Sequence, residues 1–321
     1  MQRYSDSLLL KNVIFALTRR TADFPSTLAD HGYTQVFIEG AVTTLGATVS
    51  YDMAVVTPAR NRSLLLEMKG GLYANAEAQQ RFGNQLLRYA ALTPADVIRH
   101  GFSVAPPNNP ALHQFQVGIV GMAGQLQHVE AILDQHPAQF PMLGVRLHRF
   151  ASGDTPEFAG ITVDKVPLSD ADLHAALRSM ARTYPIPLRF LPFDPDSKAY
   201  DIVAAFMPHL VQLLISSPQG VRFHISGLIK TIILPWDDLG SEEQQKYVKR
   251  VDALLRENIP AGKFTQVLTR SSPFVWEFDP QHGRSARMGK FPDYVMRMAA
   301  EFAARFSPPT ELQMPFSEVD E

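Results

Sequence analysis

Apolar residues recur at two different intervals along the first 150 residues, and each interval predicts a type of element. Helical spacing predicts helices over residues 7–20, 75–92 and 129–134. Runs rich in Val, Thr, Leu and Tyr predict strands over residues 34–56, 64–69, 115–120 and 142–150. Gly40 and Gly46 indicate a bend or a division in the first of these strands. The order of elements predicts an α/β (α+β) fold in which helices flank a mixed sheet.

A proline-rich segment over residues 184–198 separates this half of the chain from the remainder. Its four prolines between Tyr184 and Asp196 oppose regular structure, so that we expect a linker there. Just before it, Ser169 is the expected N-cap of a helix that runs to about Arg182. The first domain is therefore predicted to cover residues 1–183.

The pattern after the linker differs from that of the first half. It predicts helices over residues 201–215, 224–233 and from Ser241 onwards, strands over 263–268 and 274–278, and a closing helix over 292–306. Three helices followed by a hairpin is the order of a winged-helix-like domain, which we place at residues 199–306. The polar and acidic residues 307–321 are expected to form a flexible tail.

Composition limits the classes of protein to which the chain can belong. Its 321 residues are enough for two domains, and the apolar content of 45% is that of a globular protein. The absence of cysteine excludes a disulfide framework, a zinc finger and a thiol nucleophile, and is compatible with the cytoplasm, where we expect the protein. No run of about 18 apolar residues is present, so that we expect no membrane span.

Two short segments place charged residues in predicted strands. Asp52 lies in the strand segment over residues 34–56, and Glu67 and Lys69 end the next strand. Side chains of a strand alternate between its two faces, so that Glu67 and Lys69 share one face. The polar residues 57–63 have the length of a turn that brings Asp52 alongside them. Two carboxylates and an ammonium on adjacent strands can hold Mg²⁺ and stabilise a charged phosphodiester.

An acid on one strand, followed by acid-x-Lys on the next, resembles the PD-(D/E)xK nuclease superfamily. Asp52 and the segment from Glu67 to Lys69 match this pattern across an ordinary hairpin. Gln85 and Tyr89, on the predicted helix that follows, match the Q-x-x-x-Y motif of the RecB-like branch. Residues four apart lie on one face of a helix, so that both side chains can point at the same site.

The resemblance covers residues 30–150 and implies a restriction-endonuclease-like fold with a defined site. The implied catalytic residues are Asp52, Glu67, Lys69, Gln85 and Tyr89. The implied ligands of Mg²⁺ or Mn²⁺ are Asp52, Glu67 and the carbonyl group of Met68. The first helix of the family often contributes a glutamate, but residues 7–20 contain none, and Glu39 is the candidate to replace it.

Basic residues of the second half form a candidate nucleic-acid surface. They are Lys246, Lys249, Arg250, Arg270, Arg284, Arg287 and Lys290. Because the net charge of the chain is only −2, any contact with nucleic acid must come from such a local patch. A solvated basic face can equally serve as a protein-docking surface, and the sequence leaves these two alternatives open.

The sequence as a whole predicts a Mg²⁺-dependent DNA endonuclease that joins a nuclease-like domain to a winged-helix-like domain. Such pairings resemble effectors of restriction, transposition or anti-phage defence. The expected partners are DNA, proteins of a multi-component system and further copies of the chain, but not a membrane. The alternatives are a catalytically degenerate module that binds DNA or assembles with proteins, and a nuclease directed at RNA. No nucleotide-binding glycine motif is present, so that no nucleotide cofactor is expected.

Overall fold

The computed structural model describes residues 5–44, 46–57, 62–69, 76–100, 113–135, 139–148, 157–180, 182–186, 190–259, 267–280 and 291–306. The chain divides into two compact units. The first comprises Met1–Pro192 and Ile233–Gln245, and the second comprises Phe193–Ile232 and Lys246–Glu321. Residues 233–245 therefore belong to the first unit, although they lie inside the domain predicted over residues 199–306. The predicted linker over residues 184–198 is divided between the two units.

A seven-stranded sheet runs through the described part of the first unit. Its strands follow the order of the chain: β1 (Gln35–Thr43), β2 (Thr48–Thr57), β3 (Arg62–Lys69), β4 (Gln114–Met122), β5 (Met142–His148), β6 (Glu157–Asp164) and β7 (Tyr184–Pro185). Strands β3, β4 and β5 are parallel to one another, and every other neighbouring pair is antiparallel. The predicted mixed sheet is thus confirmed.

Helices flank this sheet, as the sequence predicts. They are α1 (Asp6–Leu17), α2 (Thr27–Asp30), α3 (Ala76–Ala90), α4 (Pro94–Arg99), α5 (Leu126–Leu133) and α6 (Ala171–Arg178). Helix α1 packs on β3 and β4 and is buried along its whole length from Leu8 to Leu17. Phe82 and Leu86 of α3 are buried in one core cluster with Leu65 and Ile119 of the sheet. Helices therefore cover both faces of the β2–β3 hairpin and of β4 over most of their length.

The structure adds helices α2 and α4 and strands β6 and β7 to the predicted elements, with β7 inside the segment expected to lack regular structure, and the boundaries of one predicted helix differ. Asp170, and not Ser169, is the N-cap of α6, because its Oδ1 accepts a hydrogen bond from the Leu173 N–H at 3.1 Å. The sequence pattern also gives no indication of β6. Gly160 lies within that strand at a φ of 145° and opposite a shift in the β5–β6 register, so that a bulge interrupts the alternation of its side chains.

The second unit combines helices with a small antiparallel sheet. Its elements are α7 (Ala199–Ile215), β8 (Val221–His224), α8 (Ile225–Lys230), α9 (Ser241–Asn258, which begins in the first unit), β9 (Leu268–Ser272), β10 (Val275–Phe278) and α10 (Phe291–Ala304). The strand order is β8–β10–β9. Phe206 of α7 and Phe302 of α10 have ring centroids 6.4 Å apart, and both side chains are buried. These two helices pack on each other, and Trp276 and Phe278 of the small sheet are also buried.

The predicted elements of the second half are confirmed with two changes. The helix expected over residues 224–233 is the shorter α8, and it is preceded by β8, which the sequence pattern does not reveal. Residues 260–266, which include most of the strand expected over 263–268, and the expected tail over 307–321 lie outside the described residues, and β9 runs from Leu268 to Ser272. Among the helices of the described ranges, none is both long and apolar enough to cross a membrane.

Candidate active site

The predicted charged residues lie where two strands of the sheet separate. Backbone pairing of β2 with β3 runs from Thr57 and Arg62 as far as Met53 and Leu66. Beyond this point β2 stays paired with β1, and β3 stays paired with β4. Asp52 follows immediately on one strand and Glu67 on the other, so that both carboxylates lie at the fork.

Asp52 is held at the fork by the backbone of the opposite strand. The Met68 N–H donates a hydrogen bond to Asp52 Oδ2 at 2.5 Å. Burial raises the pKa of Asp52 from its ordinary 3.8 to about 7, and the negative charges of Glu67 and Glu39 act in the same direction. The charge of Lys11 and the hydrogen bond from Met68 partly oppose this rise. A metal cation close to Asp52, in addition to the Lys11 ammonium, would therefore reduce the repulsion among the carboxylates of Asp52, Glu67 and Glu39.

Glu67 and Lys69 form an ion pair on the same face of β3, which confirms the predicted alternation. The Lys69 ammonium donates to Glu67 Oε1 and, at 3.3 Å, to Gln85 Oε1. It also lies 4.6 Å from the centroid of the Phe82 ring. The side chains of Glu67 and Lys69 are only 7% and 11% exposed, so that each charge depends on the other. The aromatic face and the amide oxygen fix the direction in which the ammonium points.

Helix α3 completes the site with the two residues of the Q-x-x-x-Y motif. The Tyr89 hydroxyl lies 2.5 Å from Glu67 Oε2 and 2.7 Å from the Ser50 carbonyl oxygen, and its single proton serves these two acceptors. Gln85 Nε2 donates to the same hydroxyl at 3.3 Å. Burial and the adjacent Glu67 carboxylate raise the pKa of Tyr89 far above its usual range, so that Tyr89 remains a neutral donor. The structure thus joins β2, β3 and α3 through one hydrogen-bond network.

We expect Tyr89→Phe to lower the free energy of unfolding by about 1–3 kcal/mol, because the change removes a donor from the buried Glu67 carboxylate and the Ser50 carbonyl. Equilibrium unfolding in urea at pH 7 measures the effect. Tyr184→Phe is the matched control, since its ring packs on Phe24 and its hydroxyl bonds to no described residue. Equal losses in the two variants would contradict the role given to the Tyr89 hydroxyl.

Two further residues reach the site, one of which the sequence pattern does not identify. Lys11, in the middle of α1, donates to Glu39 Oε1, and both residues influence the pKa of Asp52. Glu39, the proposed substitute for the family's helix glutamate, adopts a φ of 51° inside β1. The signal for Lys11 is its position: a lysine among the buried residues of an apolar helix needs a counter-charge.

The donors at the fork fit a hard divalent cation. The carboxylates of Asp52 and Glu67 and the carbonyl of Met68 offer only oxygen, which Mg²⁺ and Mn²⁺ prefer. Within the described residues, no group of three or more His, Cys, Asp or Glu side chains is arranged to hold a metal ion. Mg²⁺ needs no such group, because it commonly uses one or two carboxylates and retains several water ligands.

The predicted nucleic-acid residues are not alike in their surroundings. Lys246 and Lys249 are exposed on α9, whereas Arg250 is half-buried, and its Nε finds no hydrogen-bond partner in the described part of the chain. Arg284, Arg287 and Lys290 lie outside the described residues. The proposed phosphate contacts of these six residues therefore stay a prediction.

Arg270 is part of a buried network in the second unit. Its Nε and Nη2 donate to the two oxygens of Asp252 at 3.1 and 2.9 Å, and the Trp276 indole N–H donates to the same carboxylate at 3.0 Å. The Asp252 side chain is 5% exposed. This bidentate pair joins β9 to α9 and uses two of the five N–H donors of the guanidinium.

We expect Arg270→Ala to lower the free energy of unfolding by about 2–3 kcal/mol, because it leaves the buried Asp252 carboxylate without its cation. Chemical unfolding at pH 7 provides the measurement. Lys249→Ala, on the exposed side of α9, is the control and should change stability by less than about 0.5 kcal/mol. A stability of Arg270→Ala equal to that of the control would show that the pair is not structural.

The spatial arrangement joins residues that are dispersed along the sequence. Asp52, Glu67, Lys69, Gln85 and Tyr89 form one site, and Lys11 and Glu39 adjoin it. The resemblance to PD-(D/E)xK nucleases rests on these residues and on the elements that carry them. No protein-family model, no curated protein and no solved structure matches this chain.

Proposed function

We propose that this protein is a metal-dependent nuclease of the PD-(D/E)xK type that hydrolyses phosphodiester bonds in DNA. One observation carries the proposal: Glu67 is bonded at one oxygen by Lys69 and at the other by Tyr89, directly beside Asp52. A salt bridge on the solvent face of a strand is ordinarily exposed, whereas the pair of Glu67 and Lys69 is buried. Further support is that the order of α1, β1, β2, β3, α3 and β4, with β4 parallel to β3, resembles that of a restriction-endonuclease-like core.

In this proposal the residues at the fork divide the work of hydrolysis. Asp52, Glu67 and the Met68 carbonyl would hold a divalent cation, and that cation would supply an activated water and charge stabilisation for the phosphate. Lys69 donates to a phosphate oxygen or to the attacking water, and Gln85 keeps the ammonium in that direction. Tyr89 holds Glu67 in one orientation through Oε2, which preserves the position of the carboxylate.

The second unit, in the proposal, is a winged-helix-like domain that holds DNA. Supporting this are the element order α7, β8, α8, α9, β9 and β10 and the strand order β8–β10–β9. The exposed Lys246 and Lys249 of α9 are the described residues best suited to phosphate contacts. The Arg270 side chain is 30% exposed, and the N–H donors that it does not give to Asp252 stay candidates for phosphate contacts.

A substrate panel tests the proposed function. The full chain is incubated with plasmid DNA and with single-stranded RNA, in millimolar Mg²⁺ or Mn²⁺ and in EDTA. We expect cleavage of DNA that EDTA abolishes. Cleavage of RNA alone would identify an RNA-directed nuclease. DNA binding without cleavage in either metal would identify a non-catalytic DNA-binding module.

A further inference from the structure

Lys11 is an unusual residue for its position in the first unit. It lies in the middle of α1, between residues that are almost fully buried, and its own side chain is 9% exposed. Its neighbour Asn12 is also buried, but its amide bonds to the backbone of Leu8 and Leu191 and so fills a structural role. Lys11 instead sends its ammonium to Glu39. Burial of an ammonium is costly, so that this contact must be compensated by several negative groups.

Glu39 is brought to this ammonium by an unfavourable backbone conformation. A φ of 51° is strained for a non-glycine residue inside a strand, and such strain is concentrated at functional sites. The neighbouring Gly40 lies against the ring of Tyr51, where a Cβ would overlap the Tyr51 hydroxyl. The backbone conformation is therefore fixed at Glu39 and at the residue that follows it. A salt bridge formed only for stability would not require this geometry.

Asp52 has an ion pair on either side of it, one on β3 and one that involves β1. On the side of β3, Glu67 is paired with Lys69. On the side of β1, Glu39 lies opposite Asp52 in the β1–β2 register, between the pairs Ile38–Met53 and Gly40–Tyr51, and its carboxylate is paired with Lys11. Asp52, on β2, lies between these two ion pairs, and its carboxylate accepts a hydrogen bond from the Met68 N–H. Nucleases that use two metal ions place them about 3.5–4 Å apart, in general with a shared carboxylate between them.

We infer that the Lys11 ammonium occupies the place that a second divalent cation would take between Asp52 and Glu39, so that the site binds one metal ion and not two. The inference rests on the proposed function, because it assumes the first cation between Asp52 and Glu67. Lys11 is then a positioning residue that supplies a fixed positive charge to the carboxylates of Asp52 and Glu39. Glu39 is then the partner of that lysine and not a ligand of the first cation.

Calorimetric titration of the full chain with Mn²⁺ at pH 8 tests the inference by stoichiometry. We expect one ion for the wild type and two for Lys11→Met, because the neutral side chain removes the ammonium charge from this position. The double variant Lys11→Met/Glu39→Gln should return to one ion, since the vacated position then lacks a carboxylate. Lys198→Met, at the exposed N-terminus of α7, is the matched control and should bind one ion.

The outcomes separate this inference from the proposed function. Two ions in the wild type, or one ion in a folded Lys11→Met, would overturn the role of Lys11 and leave the metal site intact. No ion in the wild type would overturn both. Should Lys11→Met be unfolded without metal, millimolar Mn²⁺ is expected to restore its circular dichroism spectrum, because the second ion neutralises the same carboxylates. A variant that stays unfolded with Mn²⁺ would count against the inference.

Discussion

Lys69→Ala should reduce DNA cleavage by about 10²–10³-fold, while the protein stays folded. In the proposed function the ammonium is one charged donor to the reacting phosphate or to the attacking water, and removal of such a donor typically costs about 3–4 kcal/mol of transition-state stabilisation. Its contacts with Glu67, Gln85 and Phe82 fix it in one direction, so that no other described side chain of the fork can replace it. Initial rates of plasmid nicking in Mg²⁺ give the measurement, and a parallel thermal melt shows that the variant is folded.

The matched control for this change is Lys165→Ala. Lys165 also belongs to the first unit and forms ion pairs with Glu130 and Asp134, but it lies outside the fork. It should cleave at the rate of the wild type. If Lys69→Ala and Lys165→Ala have equal rates, the Lys69 ammonium takes no part in the reaction and the catalytic site lies elsewhere.

Asp52→Asn should abolish Mn²⁺ binding and, at the same time, make the metal-free protein more stable at neutral pH. The pKa of Asp52 lies at about 7 against an ordinary 3.8, and each unit of such a difference corresponds to about 1.4 kcal/mol. The folded protein thus holds this proton more tightly than the unfolded chain. Its stability decreases as pH rises from about 3.8 to about 7, where the folded carboxyl ionises. Asparagine keeps the shape of the side chain without the charge.

We expect a stabilisation of about 2–4 kcal/mol for Asp52→Asn at pH 8 in EDTA, and a difference that vanishes near pH 4. Urea unfolding at several pH values measures it, and calorimetry with Mn²⁺ measures the loss of binding. Asp134→Asn is the control, because this carboxylate is exposed and pairs with Lys165 at the surface. Stability of Asp52→Asn that stays equal to the wild type from pH 4 to 8 would show that the carboxylate is not under electrostatic strain.

Local pattern was sufficient to predict the parts of the site that lie close together in sequence. Alternation on β3 placed Glu67 and Lys69 on one face, and the spacing of four residues placed Gln85 and Tyr89 together on α3. A short turn and two apolar runs predicted the hairpin that brings β2 to β3. These relations depend only on strand and helix geometry, so that they can be derived without knowledge of the tertiary fold.

The remaining contacts could not be derived in this way, because they depend on distant segments and on one exceptional dihedral angle. Lys11 meets a residue 28 positions away, and Glu39 reaches it only through a φ of 51° that no strand pattern predicts. Arg270 was predicted to face DNA, yet its partner Asp252 lies 18 residues before it on α9. Position in a predicted turn gave no indication of that pair.

The order of strands in the large sheet has a kinetic consequence. Each strand pairs with the strand next to it in the chain, so that β1, β2 and β3 can assemble through short loops with a small entropic cost of closure. Asp52 of β2, Glu67 of β3 and Tyr89 of α3 lie within 40 residues of one another in the sequence. We therefore expect a folding nucleus formed by local contacts to bring the two carboxylates together first. Their mutual repulsion then acts on the folding barrier as well as on the final stability, and divalent cations should accelerate folding of the chain.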